Sequence, residues 1–552
     1  MRMRRGILMG AVLAALAALV LPAGALGFAP LSGFGTSGGG VGQLSEPGGI
    51  AIGPDGSAFV ADFENNRIAV FSPEGIFERA FGEGVVDGAE ALQVCTTATG
   101  CLPGKAAASA GALKLPADVA FGPEGDLYVV DQNNNRVDVF TPAGAFLGAF
   151  GKEVEGPGLG GVCTAVSGCQ AGAGDGSSGA LLRPKGLAFG PSGDVYVADT
   201  NDERIAVFTP AGAFIRAFGE NVGLGGGDVC TDECQQGTAG TASGQMDAPR
   251  DVVAGPGDLL AVTDGGNNRV DVFTSAGAFL RAFGKEVNIG GGDVCVTACK
   301  QGAESGLAGG LNEPTAASVD AAGNLYVADR TNNRIDEFSF SGAFIRAFGE
   351  GVLDGAEAFQ VCAGGAECQV GLQGTAAGST PEPHGVAVDC RGGIYVVEEN
   401  KETGFARVER FGDVAIPPPC TQPDEAVRVS LRKFAPSNRF RLRIHLNRKR
   451  GTATATVLAP SGIVILRGTG IRRFAKRTVS SKSVTSKACF KRVRGNCAPH
   501  QPKSGTRLPI RPVGKAKRTL KATGQAKVRI QVTFTPTGGT PATKRRQLTL
   551  RM

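Results

Sequence analysis

The 552-residue sequence predicts an all-β protein: a six-bladed β-propeller followed by a small immunoglobulin-like β-sandwich. Three observations carry this. One unit recurs six times in fixed order. Each copy holds short apolar or alternating runs, rich in β-branched and aromatic residues, between turn dipeptides. After the last copy the composition changes abruptly.

The first copy runs from Pro47 to Phe71 and on to Phe81-Gly82, and the others restart at Pro116, Pro184, Pro249, Pro314 and Pro383. Residues 50–52, 58–60, 67–71 and 76–81 read as four strands, A to D, with Asp55-Gly56 and Glu74-Gly75 at the first and third connections. Four-stranded units arranged radially make a propeller. Strand D ends in Phe-Gly at Phe81, Phe150, Phe218, Phe283 and Phe348. The sixth copy ends at its strand C and runs into Pro417-Pro-Pro419. The missing strand is read at the other end, in residues 27–35, where it completes the last blade and removes two open edges.

Upstream, Arg2, Arg4 and Arg5 precede an apolar run from Ile7 to Leu21 and the small residues Ala23-Gly24-Ala25. This reads as a secretory signal peptide, too short for a membrane span. The expected domains are a signal peptide over 1–26, the propeller over 27–413, a Pro-rich linker over 414–425 and a basic sandwich over 426–552. No transmembrane segment is expected. The expected location is secreted, extracellular or in the cell envelope.

Between strand D and the next strand A lie long connections, since successive Phe-Gly ends are 63 to 69 residues apart. Loops of that length are functional or tied down. Both readings stand here: a pinned rim, or a binding face shared with the B–C turns and the channel mouth. Ten of the 14 cysteines fall in these loops as Cys95/Cys101, Cys163/Cys169, Cys230/Cys234, Cys295/Cys299 and Cys362/Cys368. The others are Cys390, Cys420, Cys489 and Cys497. An even count in an exported chain reads as disulfides, with Cys390–Cys420 and Cys489–Cys497 as further pairs. Zinc is the competing reading, but no loop alone supplies four ligands.

The Ala-Asp/Asn-Asn-Arg-Ile stretches and their Pro-x-Gly-Ile-Ala starts resemble the NHL repeat family, over about residues 44–412. The family implies a six-bladed propeller, and its members serve too many purposes for the fold to name an activity. Its turn motif appears as Asp62/Arg67, Asp131/Arg136, Asp199/Arg204, Asp264/Arg269 and Asp329/Arg334, always five apart. In the sixth copy Glu398 replaces the Asp and Arg407 lies nine residues on. A pair that recurs in nearly every blade is expected to be structural.

Some related six-bladed propellers are metal-assisted lyases or lactonases with ligands around the channel. This chain has three histidines, His384, His445 and His500. Asp118, Asp251 and His384 start strand A of blades 2, 4 and 6 and are the candidate metal ligands; Lys185 and Arg250 beside them oppose a cation. No catalytic residue, nucleophile motif or phosphate loop is identified, and no cofactor is expected.

The tail alternates like strands at 427–431, 440–446, 453–457, 463–465, 528–534 and 547–550. It resembles basic sandwich tails of secreted proteins from high-GC Gram-positive bacteria. Residues 421–552 hold 32 of the 57 Lys and Arg and two of the 51 acidic residues, net +30; residues 1–420 hold 25 bases and 49 acids, net −24. An acidic propeller with no Trp and four Tyr is not expected to bind nucleic acid. The expectation is an exported, non-catalytic scaffold. Its propeller is an interaction platform for an unidentified protein or envelope polymer, and its basic sandwich is a polyanion-binding anchor. The alternative is a secreted metal-assisted lyase or lactone hydrolase using the channel.

Overall fold

The computed structural model describes residues 28–413, apart from 159, 160, 166, 365, 366, 401 and 402, together with the backbone of strands between 427 and 551. The expected signal peptide and linker, Cys420 and Cys489 fall outside the described residues. The chain divides into two compact units, Met1–Pro418 and Pro419–Met552.

Six antiparallel sheets form the blades of the first unit. Blade 1 orders its strands Pro47–Ile52, Ala58–Asp62, Arg67–Phe71, Phe77–Glu83 and Leu92–Cys95 from the inside outward. Strand A of blades 2 to 6 is Pro116–Phe121, Leu187–Phe189, Pro249–Ala254, Pro314–Val319 and Pro383–Val388. Strands B and C are buried on both faces, which explains their unbroken apolar runs. Val60 packs toward blade 6, whereas Phe59 and Ala61 pack with Leu127, Val129 and Phe140 of blade 2. The core is therefore a series of layers between neighbouring blades, not one central cluster.

A ring of aromatic pairs joins these layers. The Phe that ends strand D meets the strand C Phe of the next blade: Phe81–Phe140, Phe150–Phe208, Phe218–Phe273, Phe283–Phe338 and Phe348–Phe411, with centroids 5.1–5.3 Å apart. The C–D turn glycines make room for it. Gly144 has φ +85°, and a Cβ there would lie 2.7 Å from the Phe81 ring. That combination admits only glycine.

The four-strand reading of the repeat is one strand short. In blades 1 to 5 the D–A connection turns back and adds a fifth strand outside D: Leu92–Cys95, Val162–Cys163, Gly227–Cys230, Val294–Cys295 and Phe359–Ala363. Each reaches a cysteine opposite an alanine of strand D, as in Ala80↔Cys95. These strands are two to five residues long, too short for a periodicity to register.

Blade 6 has four strands, and its outer one is Phe28–Phe34, antiparallel to Phe405–Asp413. Phe34 completes the aromatic ring by meeting Phe71 of blade 1 at 4.9 Å. At the far end of the strand, Phe28 packs on Phe348 and lies under the Arg346 guanidinium.

In the second unit, Val427–Phe434, Arg439–Leu446, Thr506–Pro512 and Val464–Leu466 pair in one four-stranded sheet. Thr485–Ala488, Gly451–Leu458, Gln525–Pro536 and Ala542–Arg551 pair in another.

Deleting residues 28–35 exposes Phe405–Asp413 as an open edge and removes two rings of the aromatic seam. The expected outcome is a lower urea midpoint and a shift toward oligomers relative to the intact chain, read by circular dichroism and light scattering. Unchanged values for both refute the closure.

Candidate functional site

The turn motif builds the face on which the channel opens. Asp62 stands directly across the ladder from Arg67, and the same register recurs in blades 2 to 5. In blade 6 the B–C hairpin is longer by two pairs, Glu399↔Ala406 and Asn400↔Phe405, so Glu398 still faces Arg407. The nine-residue spacing is thus the same motif on a longer hairpin.

All five arginines of blades 1 to 5 are fully buried. Arg67 donates its Nε–H to Asp62 at 2.7 Å. Its remaining N–H groups reach the carbonyls of Gly39, Gly40 and Gln43 before the blade, and of Leu102 after it, at 2.8–3.0 Å. Each arginine therefore ties the incoming loop to the outgoing one. The outgoing acceptor always follows the second cysteine of a loop pair: Leu102, Gln170, Gln235, Lys300 and Gln369. The pairs Cys95–Cys101, Cys163–Cys169, Cys230–Cys234, Cys295–Cys299 and Cys362–Cys368 are disulfides within their own loops. Cys390 is disulfide-bonded as well. Covalent bond and guanidinium thus hold the same few residues of backbone.

Every blade but the first adds a second buried carboxylate to its arginine. Arg136 lies 3.3 Å from Asp131 and 2.8 Å from Asp138. Arg269 and Arg334 have the pairs Asp264/Asp271 and Asp329/Asp336. Arg204 has Asp199 and Asp202, and Arg407 has Glu398 and Glu409. One cation cannot offset two buried anions. Burial, and then the neighbouring Asp271 or Asp336, pushes Asp264 and Asp329 well above the usual carboxylate range. Burial alone outweighs the arginine at Asp62, raised to about 6, and burial with the neighbouring Asp202 does so at Asp199, raised to about 7.

A second device went unread in the sequence. The residue before each strand A proline is left-handed: Glu46, Leu115, Arg183, Ala248, Glu313 and Glu382, with φ from +36° to +54°. At blades 2 to 6 the last residue of the preceding B–C turn holds it there. Asn66 Oδ1 accepts the Leu115 N–H, Asn135 that of Arg183, Asn268 that of Glu313 and Asn333 that of Glu382, at 2.9–3.0 Å. In blade 3 Glu203 does this for Ala248. The signal was the second Asn of Asn-Asn-Arg, whose partner lies 45 to 49 residues away in sequence.

The channel mouth inside this rim is a cavity of about 500 Å³. Asp118, Asp251 and His384 all line it. The two carboxylates are used between blades: Asp118 Oδ2 accepts the Leu187 N–H of blade 3, and Asp251 Oδ2 accepts the Ala317 N–H of blade 5, both at 2.9 Å. Burial raises Asp118 to about 7; burial and then Asp118 hold Asp251 well above its usual value. His384 lies 3.8 Å from Glu399. Among the described residues no three His, Cys, Asp or Glu come together as a metal site. The wall on blades 3 to 5 instead carries Arg183, Lys185, Arg250 and Arg330, and blades 1 and 2 offer Gly48, Gly49, Ala117 and Phe63.

The NHL repeat model matches residues 44–71, 113–140 and 181–208, which are strands A to C of the first three blades. The first three blades thus match the NHL repeat, and the ring is a β-propeller of six blades. Over 173 residues the chain is 24% identical to Protein brain tumor of Drosophila melanogaster, covering 31% of this chain and 13% of that protein's length. Virginiamycin B lyase from Staphylococcus aureus superposes with TM-score 0.37 at 14% identity, over 68% of this chain and 97% of the lyase. A putative gluconolactonase gives 0.36 at 10% identity, over 70% and 94%. An auxiliary nutrient binding protein from Bacteroides ovatus gives 0.36 at 14%, over 70% and 77%.

Two outcomes follow from this geometry. Arg67→Met takes from the buried Asp62 its charge partner and from four carbonyls their guanidinium donor, and is expected to lower unfolding free energy by about 3–5 kcal/mol in urea titration. The raised carboxyls bind protons in the folded ring that the unfolded chain releases above its ordinary aspartate value of 3.8. Their contribution is complete below that value and is lost as pH rises through about 6 to 7. The melting temperature is therefore expected to rise as pH falls from 7.5 to 5, with a smaller rise for Asp138→Asn/Asp271→Asn/Asp336→Asn.

Proposed function

We propose that this protein is an exported, non-catalytic binding scaffold. The propeller presents its loop face to a partner, and the basic domain over 426–552 anchors the molecule to anionic envelope components. One observation carries the reading: every loop around the channel mouth is held at fixed geometry by a buried guanidinium, in blades 1 to 5 next to a disulfide. A preordered rim loses little entropy when it meets a partner. Disulfides persist in oxidising compartments, which supports export. No helix of the described residues is long and apolar enough to cross a membrane.

Metal-assisted lyase or lactonase chemistry in the channel is the weaker reading. Asp118 and Asp251 already accept backbone N–H groups from the next blade, and four cationic side chains line the same cavity. The anchor reading rests on net charges of +30 for residues 421–552 and −24 for 1–420. Binding of this kind is carried by released counterions and falls steeply with salt.

The full chain is expected to bind teichoic-acid-coated beads at about 0.05 M salt and to lose about tenfold or more in affinity by 0.2 M. A chain ending at 418 is expected not to bind. Salt-insensitive binding, or equal binding by the truncated chain, refutes the anchor.

A further inference from the structure

The cavity at the channel mouth divides by charge. Lys185 and Arg250 follow the strand A prolines of blades 3 and 4, Arg330 opens the B–C turn of blade 5, and Arg183 is one of the left-handed rim residues. The carboxylates around them are unevenly shared. Glu313 lies 3.5 Å from Arg250 and 3.3 Å from Arg330, and Glu382 lies 2.7 Å from Arg330. Among the described residues no carboxylate lies within 4 Å of the Lys185 ammonium, and the Nε–H groups of Arg250 and Arg330 are buried without an acceptor. Burial and the neighbouring Arg250, Arg330 and Arg183 lower Lys185 to about 8. Charged neighbours of opposite sign in the cavity are Glu46 on the rim and the inner carboxyls Asp118 and Asp251, both raised by burial. The facing wall of blades 1 and 2 carries no cation: beside Glu46 and Asp118 it offers Gly48, Gly49, Ala117, Phe63 and Gln132.

We propose that the channel mouth is the seat of a small organic anion. Its carboxylate or phosphate lies among Lys185, Arg250 and Arg330, and its uncharged body lies against Gly48, Gly49, Ala117 and Phe63. Cations that crowd one another with unfilled donors are arranged for an oxyanion, which accepts from several N–H groups at once. A cavity of about 500 Å³ suits a ligand of metabolite size. The seat deepens the binding-scaffold reading and rests on it. It also makes sense of cations beside Asp118 and Asp251, which are misplaced for a metal site.

The test is calorimetric titration of the full chain at 0.15 M salt with citrate and, separately, inorganic phosphate. The two probes separate a carboxylate seat from a phosphate seat. The basic tail gives a weak, unsaturating background that is common to all variants. At least one probe is expected to show one saturable site above it. Lys185→Met and Arg250→Gln are expected to weaken that site at least tenfold, and Lys105→Met, outside the cavity, to leave it unchanged. Lys185→Met removes a crowded cation, so its melting temperature is expected to equal or exceed that of the parent; this separates loss of the seat from loss of the fold. Equal affinity in Lys185→Met, or no saturable site for either probe, overturns the proposal. Teichoic-acid binding by the same variants reads the anchor independently: if it persists while the saturable site is missing, only the seat has failed.

Discussion

The structure depends on a guanidinium that no water reaches. A propeller leaves long strips of loop backbone between blades, and their carbonyls need donors once buried. Arginine supplies five N–H groups in one rigid plane, enough to serve a carboxylate and loops on both sides of a blade. A lysine ammonium has neither the reach nor the number of donors. Burying the charge is costly, and the facing Asp or Glu offsets that cost. In blade 6 the acid is one methylene longer, and Arg407 reaches the loop carbonyls of Thr375, Ala376 and Ser379 on one side.

The number of blades, the strand C and D aromatics and the closing strand were legible because each leaves a local signature. Proline starts, Phe-Gly ends and Asp-Gly turns are written in adjacent residues. The fifth strand was not legible. Val162–Cys163 and Val294–Cys295 are two residues each, and only the edge of strand D makes them strands. The Asp-to-Arg pair was visible as a motif, but its acceptors were not, because backbone carbonyls carry no residue identity. Arg67 reaches Gly39 and Leu102 from 28 and 35 positions away. At the channel, Asp118, Asp251 and His384 do share one cavity, as their alternate-blade positions suggested. Spacing could not reveal that Asp118 bonds to Leu187 and Asp251 to Ala317, which turns two candidate ligands into joints between blades.

The same joints explain how unlike sequences serve one geometry. Asn66, Asn135, Asn268 and Asn333 each hold the start of the next blade, and Glu203 does so with a longer arm. The backbone of the rim is therefore specified by turn residues one blade upstream. Its outward side chains are free to differ, which is how Leu115, Arg183, Ala248 and Glu313 occupy equivalent places.

The seam between Phe28–Phe34 and Phe405–Asp413 imposes an order of assembly. Of the propeller's strands the ribosome makes the closing one first and its partner last, with about 370 residues between them. Blades 1 to 5, each with its own covalent loop, lie wholly between the two halves of the seam in sequence. Until its partner is made the first strand is an unpaired ribbon able to join any exposed edge, including that of another copy. Bringing such distant segments together is entropically expensive, but the five finished blades curve the two ends toward each other and shorten the gap. The late step in making this molecule is thus a zipper closing on a nearly finished wheel, and a chain stalled before residue 405 carries both of its halves open.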